Sequence, residues 1–239
     1  MVRGSTMIRR VMAIATAADG IDQVIVATDD QRIAAHVREF GGYVAMTSAE
    51  CRNGTERVHA AALALDQRPD VVINLQGDAV LTPPWIIGSV ANAMRADPDI
   101  VMATPAVRMD RLTYDRFSRA KAAGAVGGTT VVTRRDGYAM YFSKALIPAL
   151  RFPVDPLPVK QHIGLYAYRF ETLENLIALQ PSPLEEAEGL EQLRALENSV
   201  PIKVIEVDYR GRSHASVDSP EDVLVVERLI EEQGELVDL

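Results

Sequence analysis

The chain is poor in cysteine and has no clustered metal ligands. Cys51 is the only cysteine among 239 residues, so no disulfide can form within the chain. This composition fits a reducing compartment, and we expect a cytoplasmic protein. The four histidines lie apart and show no zinc-binding spacing with the cysteine. Cys51 could be a nucleophile, but no base is identified beside it, and an ordinary loop thiol is the simpler interpretation.

Long apolar runs and an excess of basic charge are also missing. No segment approaches the ~20 apolar residues of a membrane helix, and the start, MVRGSTMIRR, lacks the apolar part of a secretory signal. The net charge of -8 argues against a nucleic-acid surface. A small anionic ligand is still compatible with this charge, because a few local Arg or Lys residues and a metal ion can hold it. We therefore expect neither nucleic acid nor a membrane as a partner.

What the chain does contain is an alternation of β-branched apolar runs and helical segments. Its length and 48% hydrophobic content suit one large α/β domain covering residues 1–239. The runs QVIVATDD, YVAMT, VVINLQ and IVMATPAVRM are typical of strands, and a helix-like segment follows each of them. This order predicts a three-layer α/β sandwich, with a mostly parallel central sheet and helices on both faces. The sequence argues against a plain NAD-binding domain, because no G-x-G-x-x-G follows any strand.

Residues 71–80, VVINLQGDAV, point to a site. The apolar run predicts a strand buried on both faces, and Gly77 supplies a sharp exit from the sheet. Residues just past the carboxyl end of such a strand lie where open α/β sheets bind ligands, so Gln76 and Asp78 would face a pocket. The alternative is an ordinary turn, because Gly and Asp are common turn formers.

The middle of the chain interrupts the alternation. TTVVTRRDGYAMYF is predicted to be two strands around residues 134–137, because Asp-Gly between β-rich runs is a strong hairpin signal. We expect an antiparallel insertion over residues 107–168. Further on, PSPLEEAEGLEQLRALEN is predicted to be one helix and DSPEDVLVVERLIEE a final helix.

Several segments match one known family in its own order, over nearly the whole chain. They are VIVATDDQRIA, NGTER, NLQGDAV, GYAMYFSKALIP, QHIGLYAYR, QPSPLEEAEGLEQLRAL and SVDSPEDV. Together they resemble the CMP-Kdo synthetases (3-deoxy-manno-octulosonate cytidylyltransferases). The resemblance implies a nucleotide-diphospho-sugar transferase (Rossmann-like) fold. It also implies a homodimer in which the 107–168 insertion takes part.

The same resemblance implies an activity. CTP and 3-deoxy-D-manno-octulosonate (Kdo), an acid sugar of lipopolysaccharide or capsule biosynthesis, would give CMP-Kdo and diphosphate. Charge builds up on phosphate oxygens in such a transfer, so positioning and cations dominate catalysis. By resemblance Asp78 and Asp218 hold Mg²⁺, which prefers oxygen ligands. Asp78 could instead be a turn residue, and Asp218 an N-cap ahead of Ser219.

The NGTER and NLQGD motifs indicate which residues bind the nucleotide and part of the sugar. Asn53, Gly54 and Thr55 correspond to the family's loop that binds the cytosine. Arg57 and Gln76 correspond to contacts with the acid sugar, whose carboxylate suits the two parallel hydrogen bonds of an Arg. The ordinary alternative for Arg57 is a solvated helix charge.

The remaining sugar contacts are assigned by the later motifs. His162, Glu191 and Gln192 correspond to groups that bind sugar hydroxyls. His162 could instead be a satisfied structural histidine, and Glu191 and Gln192 could be exposed helix polars.

Two features depart from the family's pattern. The family opens with a strand and a loop of the type I-P-A-R-x-x-S-x-R-L-P-G-K-P-L, which holds the triphosphate, and MVRGSTMIRRV resembles only the segment after it. A strand missing from the middle of a sheet would leave unpaired backbone groups and an apolar slot, and we expect weak or no turnover from residues 1–239 alone. The second departure lies at the site. Ala79 replaces a carboxylate near the metal, Lys144 stands at a usual Arg, and GAVGGTTVV replaces Asn-x-Val-Lys.

These departures leave two alternatives open. The substrate could be another acid sugar, such as a sialic-acid-like sugar, although GLEQLR and NLQGD favour Kdo. The chain could also be a non-catalytic paralogue that binds a sugar nucleotide, which the missing loop and Ala79 favour.

Overall fold

The computed structural model describes residues 1–125 and 127–239, and nine strands and nine helices lie within them. The strands are β1 (Ile25–Thr28), β2 (Tyr43–Met46), β3 (Val71–Leu75), β4 (Met102–Arg108), β5 (Thr129–Thr133), β6 (Ala139–Ser143), β7 (Lys160–His162), β8 (Leu165–Arg169) and β9 (Ile202–Glu206). The helices are α1 (Met7–Thr16), α2 (Gln31–Glu39), α3 (Gly54–Leu63), α4 (Pro84–Ala96), α5 (Arg111–Ala122), α6 (Phe170–Ala178), α7 (Pro183–Glu188), α8 (Gln192–Glu197) and α9 (Pro220–Gln233). None of these helices is both long and apolar enough to cross a membrane.

Short polar side chains explain where several helices begin. Asp30, Asn53 and Asp110 precede α2, α3 and α5, and the side chain of each accepts a hydrogen bond from a first-turn backbone N–H. Proline opens α4, α7 and α9, at a position where its missing N–H costs no helical hydrogen bond.

Seven of these strands form the central sheet, and the other two form a small one. The order along the central sheet is β3-β8-β4-β7-β5-β6, and β9 also pairs with β4. The small sheet consists of β1 and β2, which pair in parallel with Ile25 opposite Tyr43. β4 is the centre of the fold, because β7, β8 and β9 all hydrogen-bond to it.

The expectation of a mostly parallel central sheet is wrong. Its parallel pair is β4–β9, whereas β3–β8, β4–β8, β4–β7, β5–β6 and β5–β7 are antiparallel. The reason is that β8, which follows the insertion, returns between β3 and β4 and runs opposite to both. The α/β class is confirmed.

Helices cover both faces of the sheet, as expected. Met102 of β4 packs with Leu173 of α6. The next residue, Ala103, belongs to the opposite cluster, with Ile14 of α1 and Val90 of α4. Burying each large apolar side chain contributes roughly 1.5–3 kcal/mol, so apolar packing holds the helix layers onto the sheet.

The hairpin predicted around residues 134–137 is present. β5 and β6 pair antiparallel with Thr130 opposite Ser143, and the Arg134 N–H donates to the Tyr138 carbonyl at 2.8 Å. The insertion does not form a sheet of its own. It extends the central sheet, because β5 pairs with β7 and β7 pairs with β4.

Residues 182–197 form two helices instead of the single helix expected. α7 ends at Gly189, which has φ 61° and lies in the left-handed region. A residue in that region terminates a right-handed helix, and glycine adopts it at the lowest cost. α8 therefore begins afresh at Gln192, so Glu191 and Gln192 stand at the start of a helix.

A cleft of about 1040 Å³ separates the two sheets. Ile25 and Ala27 of β1 line it together with Val72 and Ile73 of β3. β1 is paired with β2 on its other side, and β3 is paired with β8. The cleft therefore lies between one edge of β1 and one edge of β3.

Candidate functional site

Asp78 lies in the tight turn that follows β3. The Ala79 N–H donates to the Gln76 carbonyl at 3.2 Å, and the Val80 N–H donates to the Asp78 carbonyl at 2.8 Å. Val80 is fully buried, so the turn is anchored to the core directly after the carboxylate. Asp78 itself is half-buried.

A second carboxylate, Asp218, is brought to the same turn. The Val217 N–H donates to the Asp78 carbonyl at 3.2 Å, which joins the segment before α9 to the turn after β3. Asp218 is not the N-cap of α9, so that alternative is wrong. The cap is Ser219, whose N–H and hydroxyl donate to the Asp222 carboxylate at 2.8 and 2.9 Å.

The negative charge of Asp218 acts on the carboxyl group of Asp78. Burial raises the pKa of Asp78, and the charge of Asp218 raises it further. A divalent cation fits this position, because its charge removes the repulsion and carboxylate oxygens suit Mg²⁺. No group of three or more His, Cys, Asp or Glu side chains in the described part of the chain is placed to hold a metal. The pair would therefore need further oxygens from substrate or water.

The amino-terminal end of α3 lies against the carboxyl end of β3. The Asn53 side chain caps α3 by accepting from the Glu56 N–H at 2.9 Å. A Cβ added to Gly54 would stand 2.9 Å from Gln76 Nε2 and 3.3 Å from Asn74 Nδ2. The absence of a Cβ is what permits this close approach. Gly54 and Gln76 are therefore neighbours in the site.

Thr55 connects α3 to the start of α8. Its Oγ1 is buried and donates to Glu191 Oε2 at 3.1 Å. Burial raises the pKa of the Glu191 carboxyl, although this hydrogen bond opposes the shift. Gln192 is 5% exposed, and its Nε2 has no hydrogen-bond partner among residues 1–125 and 127–239. Buried donors are almost always paired, so this one is a candidate for ligand binding.

These side chains line one small cavity with two tyrosines. The cavity has a volume of about 20 Å³ and is bordered by Tyr166, Tyr168, Glu191 and Gln192. It has room for one water molecule, not for a substrate. Burial raises the pKa of both tyrosines, so their hydroxyls stay neutral.

A buried ion pair fixes the helix that follows Glu191. Arg194 of α8 donates to both carboxylate oxygens of Glu185 in α7, at 2.7 and 2.5 Å. This two-point contact sets the angle between the two helices. It thereby sets where Glu191 and Gln192 lie.

His162 is buried in the sheet. It is 8% exposed, and its Nε2 is 2.8 Å from Thr104 Oγ1. The Thr104 hydroxyl donates to the Leu165 carbonyl at 2.7 Å, so it accepts from a protonated Nε2 of His162. Burial lowers the pKa of His162 to about 3. The placement agrees with a satisfied structural histidine, whose link to the small cavity is the Tyr166 ring at a centroid distance of 5.4 Å.

Arg57 is held at the ends of the small sheet. Its Nη1 is 2.7 Å from Thr47 Oγ1 and 3.2 Å from a carboxylate oxygen of Asp29. Thr47 follows β2 and Asp29 follows β1. The guanidinium is therefore engaged away from Glu191 and Gln192.

The structure thus arranges most of the expected site residues in one row. They follow one another in the order Asp218, Asp78, Gln76, Gly54, Thr55, Glu191, through the contacts described above or through closeness in the chain, with Asn53 beside Gly54 and Gln192 beside Glu191. Arg57 and His162 are held by other partners.

Glu188, which the sequence does not single out, holds the segment around Lys144. The Glu188 carboxylate accepts from the Ser143 hydroxyl at 2.7 Å and from the Lys144 N–H at 2.9 Å. It therefore fixes the position at which the resembling family has an arginine. The sequence offers one indication of this role, an acidic residue before Gly189. The exposed end of a helix would show the same pattern.

Comparison with known proteins points to a single family. The Cytidylyltransferase family model matches residues 2–205. The 3-deoxy-manno-octulosonate cytidylyltransferase of Maricaulis maris (strain MCS10) is 54% identical, over 99% of this chain and 92% of that protein. The protein of the same name from Myxococcus xanthus (strain DK1622) is 41% identical, over 98% and 89%. A solved structure of CMP:2-keto-3-deoxy-manno-octonic acid synthetase complexed with CTP has a TM-score of 0.85 and 32% identity, over 98% of this chain and 90% of that one.

Proposed function

Because the chain belongs to the 3-deoxy-manno-octulosonate cytidylyltransferase family, we propose that it transfers the cytidylyl group of CTP to 3-deoxy-D-manno-octulosonate (Kdo). The anomeric hydroxyl of the sugar attacks the α-phosphorus, loses its proton, and displaces diphosphate to give CMP-Kdo. The observation that carries this proposal is the hydrogen bond from the Val217 N–H to the Asp78 carbonyl, which brings the segment with Asp218 to the turn after β3. The product serves lipopolysaccharide or capsule biosynthesis.

We assign Mg²⁺ to Asp78 and Asp218. Their oxygens fit the ion, and the raised pKa of Asp78 indicates a repulsion that a cation would relieve. When bound, Mg²⁺ would shield the phosphate charge and make the sugar hydroxyl more acidic. The chain's own contribution is rigidity. The turn after β3 fixes Asp78, and the hydrogen bond from Val217 fixes the segment carrying Asp218.

The two substrates are assigned to the two ends of the row. The nucleotide lies at Asn53, Gly54 and Thr55, where first-turn N–H groups of α3 have no helical acceptor. The sugar lies toward Glu191 and Gln192. The unpaired Nε2 of Gln192 supports this assignment, because a sugar hydroxyl or a water would satisfy it.

The sugar end extends from Gln76 toward His162. Gln76 is exposed beside Gly54, where it can contact a ligand, and its Nε2 donates to Asn74 Oδ1 at 3.2 Å. His162 acts through the packing of Tyr166, and Arg57 acts by holding the loop after β1 through Asp29. These two assignments differ from direct sugar contacts.

The proposed assembly is a cytoplasmic homodimer formed through the 107–168 insertion. Large apolar side chains are exposed on this segment, with Leu112 at 74%, Met140 at 61% and Phe152 at 72%. These exposed apolar side chains support a protein interface on this segment.

Release of diphosphate from CTP, in the presence of Mg²⁺ and Kdo, tests the activity. We expect weak release from residues 1–239, which requires the sugar and which a chelator abolishes. A sialic-acid-like sugar in place of Kdo is the specificity control, and ATP in place of CTP is the nucleotide control. Faster release with the other sugar would assign the chain to a different acid sugar.

A non-catalytic sugar-nucleotide-binding paralogue is the second candidate. Ala79 favours it, because the turn then carries one carboxylate instead of two. Titration calorimetry with CTP separates the two functions. CTP binding without diphosphate release, for any acid sugar tried on a folded chain, would contradict the enzyme.

A further inference from the structure

The carboxylate of Glu188 joins the central sheet to the helices that carry the sugar end of the row. Glu188 is the last residue of α7 and precedes Gly189, where the chain turns toward α8. Its Oε1 accepts from the Ser143 hydroxyl at 2.7 Å, and its Oε2 accepts from the Lys144 N–H at 2.9 Å. The Tyr141 hydroxyl donates to the same Oε1 at 3.4 Å. One carboxylate therefore fixes the end of β6 against the turn between α7 and α8.

These hydrogen bonds keep Glu188 ionised. Burial by itself would raise the pKa of its carboxyl, but the bonds from the Lys144 N–H and from the Ser143 and Tyr141 side chains lower that pKa below the ordinary 4.5. Hydrogen bonds to a charged acceptor are shorter and stronger than those between neutral groups. At neutral pH the contact is therefore a firm attachment of the Lys144 backbone to α7.

The chain that leaves β6 is also held from within the hairpin. The Ala145 N–H donates to Ser143 Oγ at 3.0 Å, and the Thr130 hydroxyl donates to the Ala145 carbonyl at 2.7 Å. The Ile147 N–H donates to Thr130 Oγ1 at 3.1 Å. Lys144 stands between these contacts and Glu188, so its backbone is held on both sides.

The side chain of Lys144 lies near His162. Thr129 of β5 is opposite His162 in β7. The next residue of β5, Thr130, is opposite Ser143, which ends β6. Lys144 therefore leaves the sheet two strands away from His162. Burial lowers the pKa of His162, and the charge of Lys144 lowers it further, which agrees with this placement.

Lys144 is a cation that forms no ion pair. It is half-buried, and within residues 1–125 and 127–239 its ammonium group makes no hydrogen bond and no ion pair. The two arginines near the row differ from it, because Arg57 is 3.2 Å from Asp29 and Arg194 holds Glu185. Partly burying an ammonium group without a partner costs free energy, which a ligand of opposite charge recovers. The acid sugar carries that charge on its carboxylate.

We propose that Glu188 is a positioning residue, which holds the backbone at Lys144 so that the Lys144 ammonium group meets the carboxylate of the acid sugar. Glu188 itself does not touch the substrate. Because the same carboxylate ends α7, it also sets the spacing between Lys144 and the start of α8, where Glu191 and Gln192 lie. The inference rests on the proposed function in taking an acid sugar as the ligand.

Titration calorimetry with Kdo, on the full chain, tests the proposal through binding and does not need turnover. Glu188→Ala removes the carboxylate and leaves a residue that favours the helix. We expect it to weaken Kdo binding about tenfold, because a charge-assisted hydrogen bond to the Lys144 N–H is lost. CTP binding, measured in the same way, should stay unchanged, because the nucleotide lies at the other end of the row.

Glu186→Ala is the matched control, since Glu186 is an exposed carboxylate of the same helix. It should bind Kdo like the parent. Glu188→Gln keeps an amide oxygen for the Lys144 N–H, so it should bind Kdo more tightly than Glu188→Ala does. Equal losses of Kdo and CTP affinity in Glu188→Ala would indicate a general structural defect and contradict the positioning role.

A double-variant cycle shows whether Glu188 acts through Lys144. Lys144→Met should by itself weaken Kdo binding about tenfold. In that background Glu188→Ala should add no further loss. Equal effects of Glu188→Ala in both backgrounds would overturn the proposal, as would a Lys144→Met variant that binds Kdo like the parent.

Two further outcomes separate this inference from the proposed function. If the folded parent shows no saturable Kdo binding, the positioning role is wrong. If Kdo binds with the expected pattern among the variants but no diphosphate is released, the proposed function is contradicted and the positioning role is supported.

Discussion

A half-buried carboxyl beside a second carboxyl destabilises the fold that contains it, and Asp78 is in this position. Because its pKa is raised above the ordinary 3.8, the folded chain binds this proton more tightly than the unfolded chain does. By linkage, stability falls as the pH rises from 3.8 through the raised pKa, and that loss is complete above it. The residue therefore opposes folding at the pH at which it would bind a cation.

Asp78→Asn is expected to change stability and activity in opposite directions. Removing the charge should raise the free energy of unfolding at pH 7 by less than about 1 kcal/mol, since the group is partly solvated. It should lower kcat for diphosphate release about 100-fold or more, because a charge-stabilising ligand is lost. Urea unfolding and the diphosphate assay measure the two effects.

Asp110→Asn is the matched control for that variant. A hydrogen bond from the Thr113 N–H lowers the pKa of Asp110, so its charge stabilises the fold and its removal should lower stability. A more stable Asp78→Asn variant that keeps full activity would show that the carboxylate pair is not the metal site.

His162 gives a pH dependence of the opposite sign. Its pKa falls to about 3 in the folded chain, against 6.5 ordinarily, so protonation of the unfolded chain removes stability as the pH drops from 6.5 toward 3. His162→Gln keeps a donor for Thr104 and removes the titration. Its free energy of unfolding should depend less steeply on pH below 6.5, by up to about 1.4 kcal/mol per pH unit. Parallel curves for variant and parent, from urea unfolding at several pH values, would contradict this assignment.

At the scale of single residues, the sequence predicts which carboxylates meet better than it predicts the hydrogen-bond partners of other side chains. The meeting of Asp78 with Asp218 is predicted because both follow strand-like segments. The partners of Arg57 are not, because Thr47 and Asp29 reach it through the small sheet, whose position depends on tertiary packing. His162 shows the same limit, since its partner Thr104 lies on another strand.

The start of α9 carries Asp218, so its cap couples to the site. Ser219→Ala removes a hydroxyl that donates to Asp222 at 2.9 Å. We expect the free energy of unfolding to fall by about 1 kcal/mol. Loss of the cap also makes the Asp218 backbone less ordered. A several-fold higher Mg²⁺ concentration should therefore be needed for the half-maximal rate. Thermal unfolding and a Mg²⁺ titration of the rate measure the two effects.

Asp110→Ala is the comparison for that cap. It removes the side chain that accepts from the Thr113 N–H at 2.7 Å at the start of α5. We expect a similar loss of stability without a change in Mg²⁺ dependence. An equal Mg²⁺ effect in both variants would mean that the Ser219 effect reflects stability alone.

Gly54 sets how closely α3 approaches β3. Gly54→Ala places a methyl group 2.9 Å from Gln76 Nε2, so Gln76 must move, while the helix itself favours alanine. We expect a raised KM with nearly unchanged stability. Steady-state kinetics of Gly54→Ala, Gln76→Ala and the double variant provide the measurement. Strictly additive effects would contradict a shared contact.

Element types are predicted well where the signal is local, and pairing is not. The 134–137 hairpin is specified by Asp-Gly between two β-rich runs, and it forms. The antiparallel entry of β8 between β3 and β4 is a long-range choice that no local pattern contains. The break at Gly189 has a local signal, but the acidic and leucine-rich residues on both sides of it favour helix equally.

The oligomeric state is a property of the whole molecule, and the insertion is its proposed surface. Met140→Asp with Phe152→Asp should convert a dimer to a monomer, because burying charges at an apolar interface is unfavourable. Leu224→Asp is the control, since Leu224 is 67% exposed on α9, outside the insertion. Light scattering after size-exclusion chromatography measures the mass. A monomeric parent chain, or dissociation by the control, would contradict the proposal.

Because the β1–β2 sheet is separate from the central sheet, the chain has one part of low local stability and one part of high local stability. A two-stranded sheet is marginally stable by itself, and native chains open in contiguous units of low local free energy. The unit with β1, β2 and α2 should therefore open more often than the strands around β4. α3 packs against both parts and begins with Gly54 and Thr55, so the boundary runs beneath the nucleotide end of the site. A ligand bound there would order the unit with β1, β2 and α2. The entropic cost of this ordering would lower the affinity for the ligand.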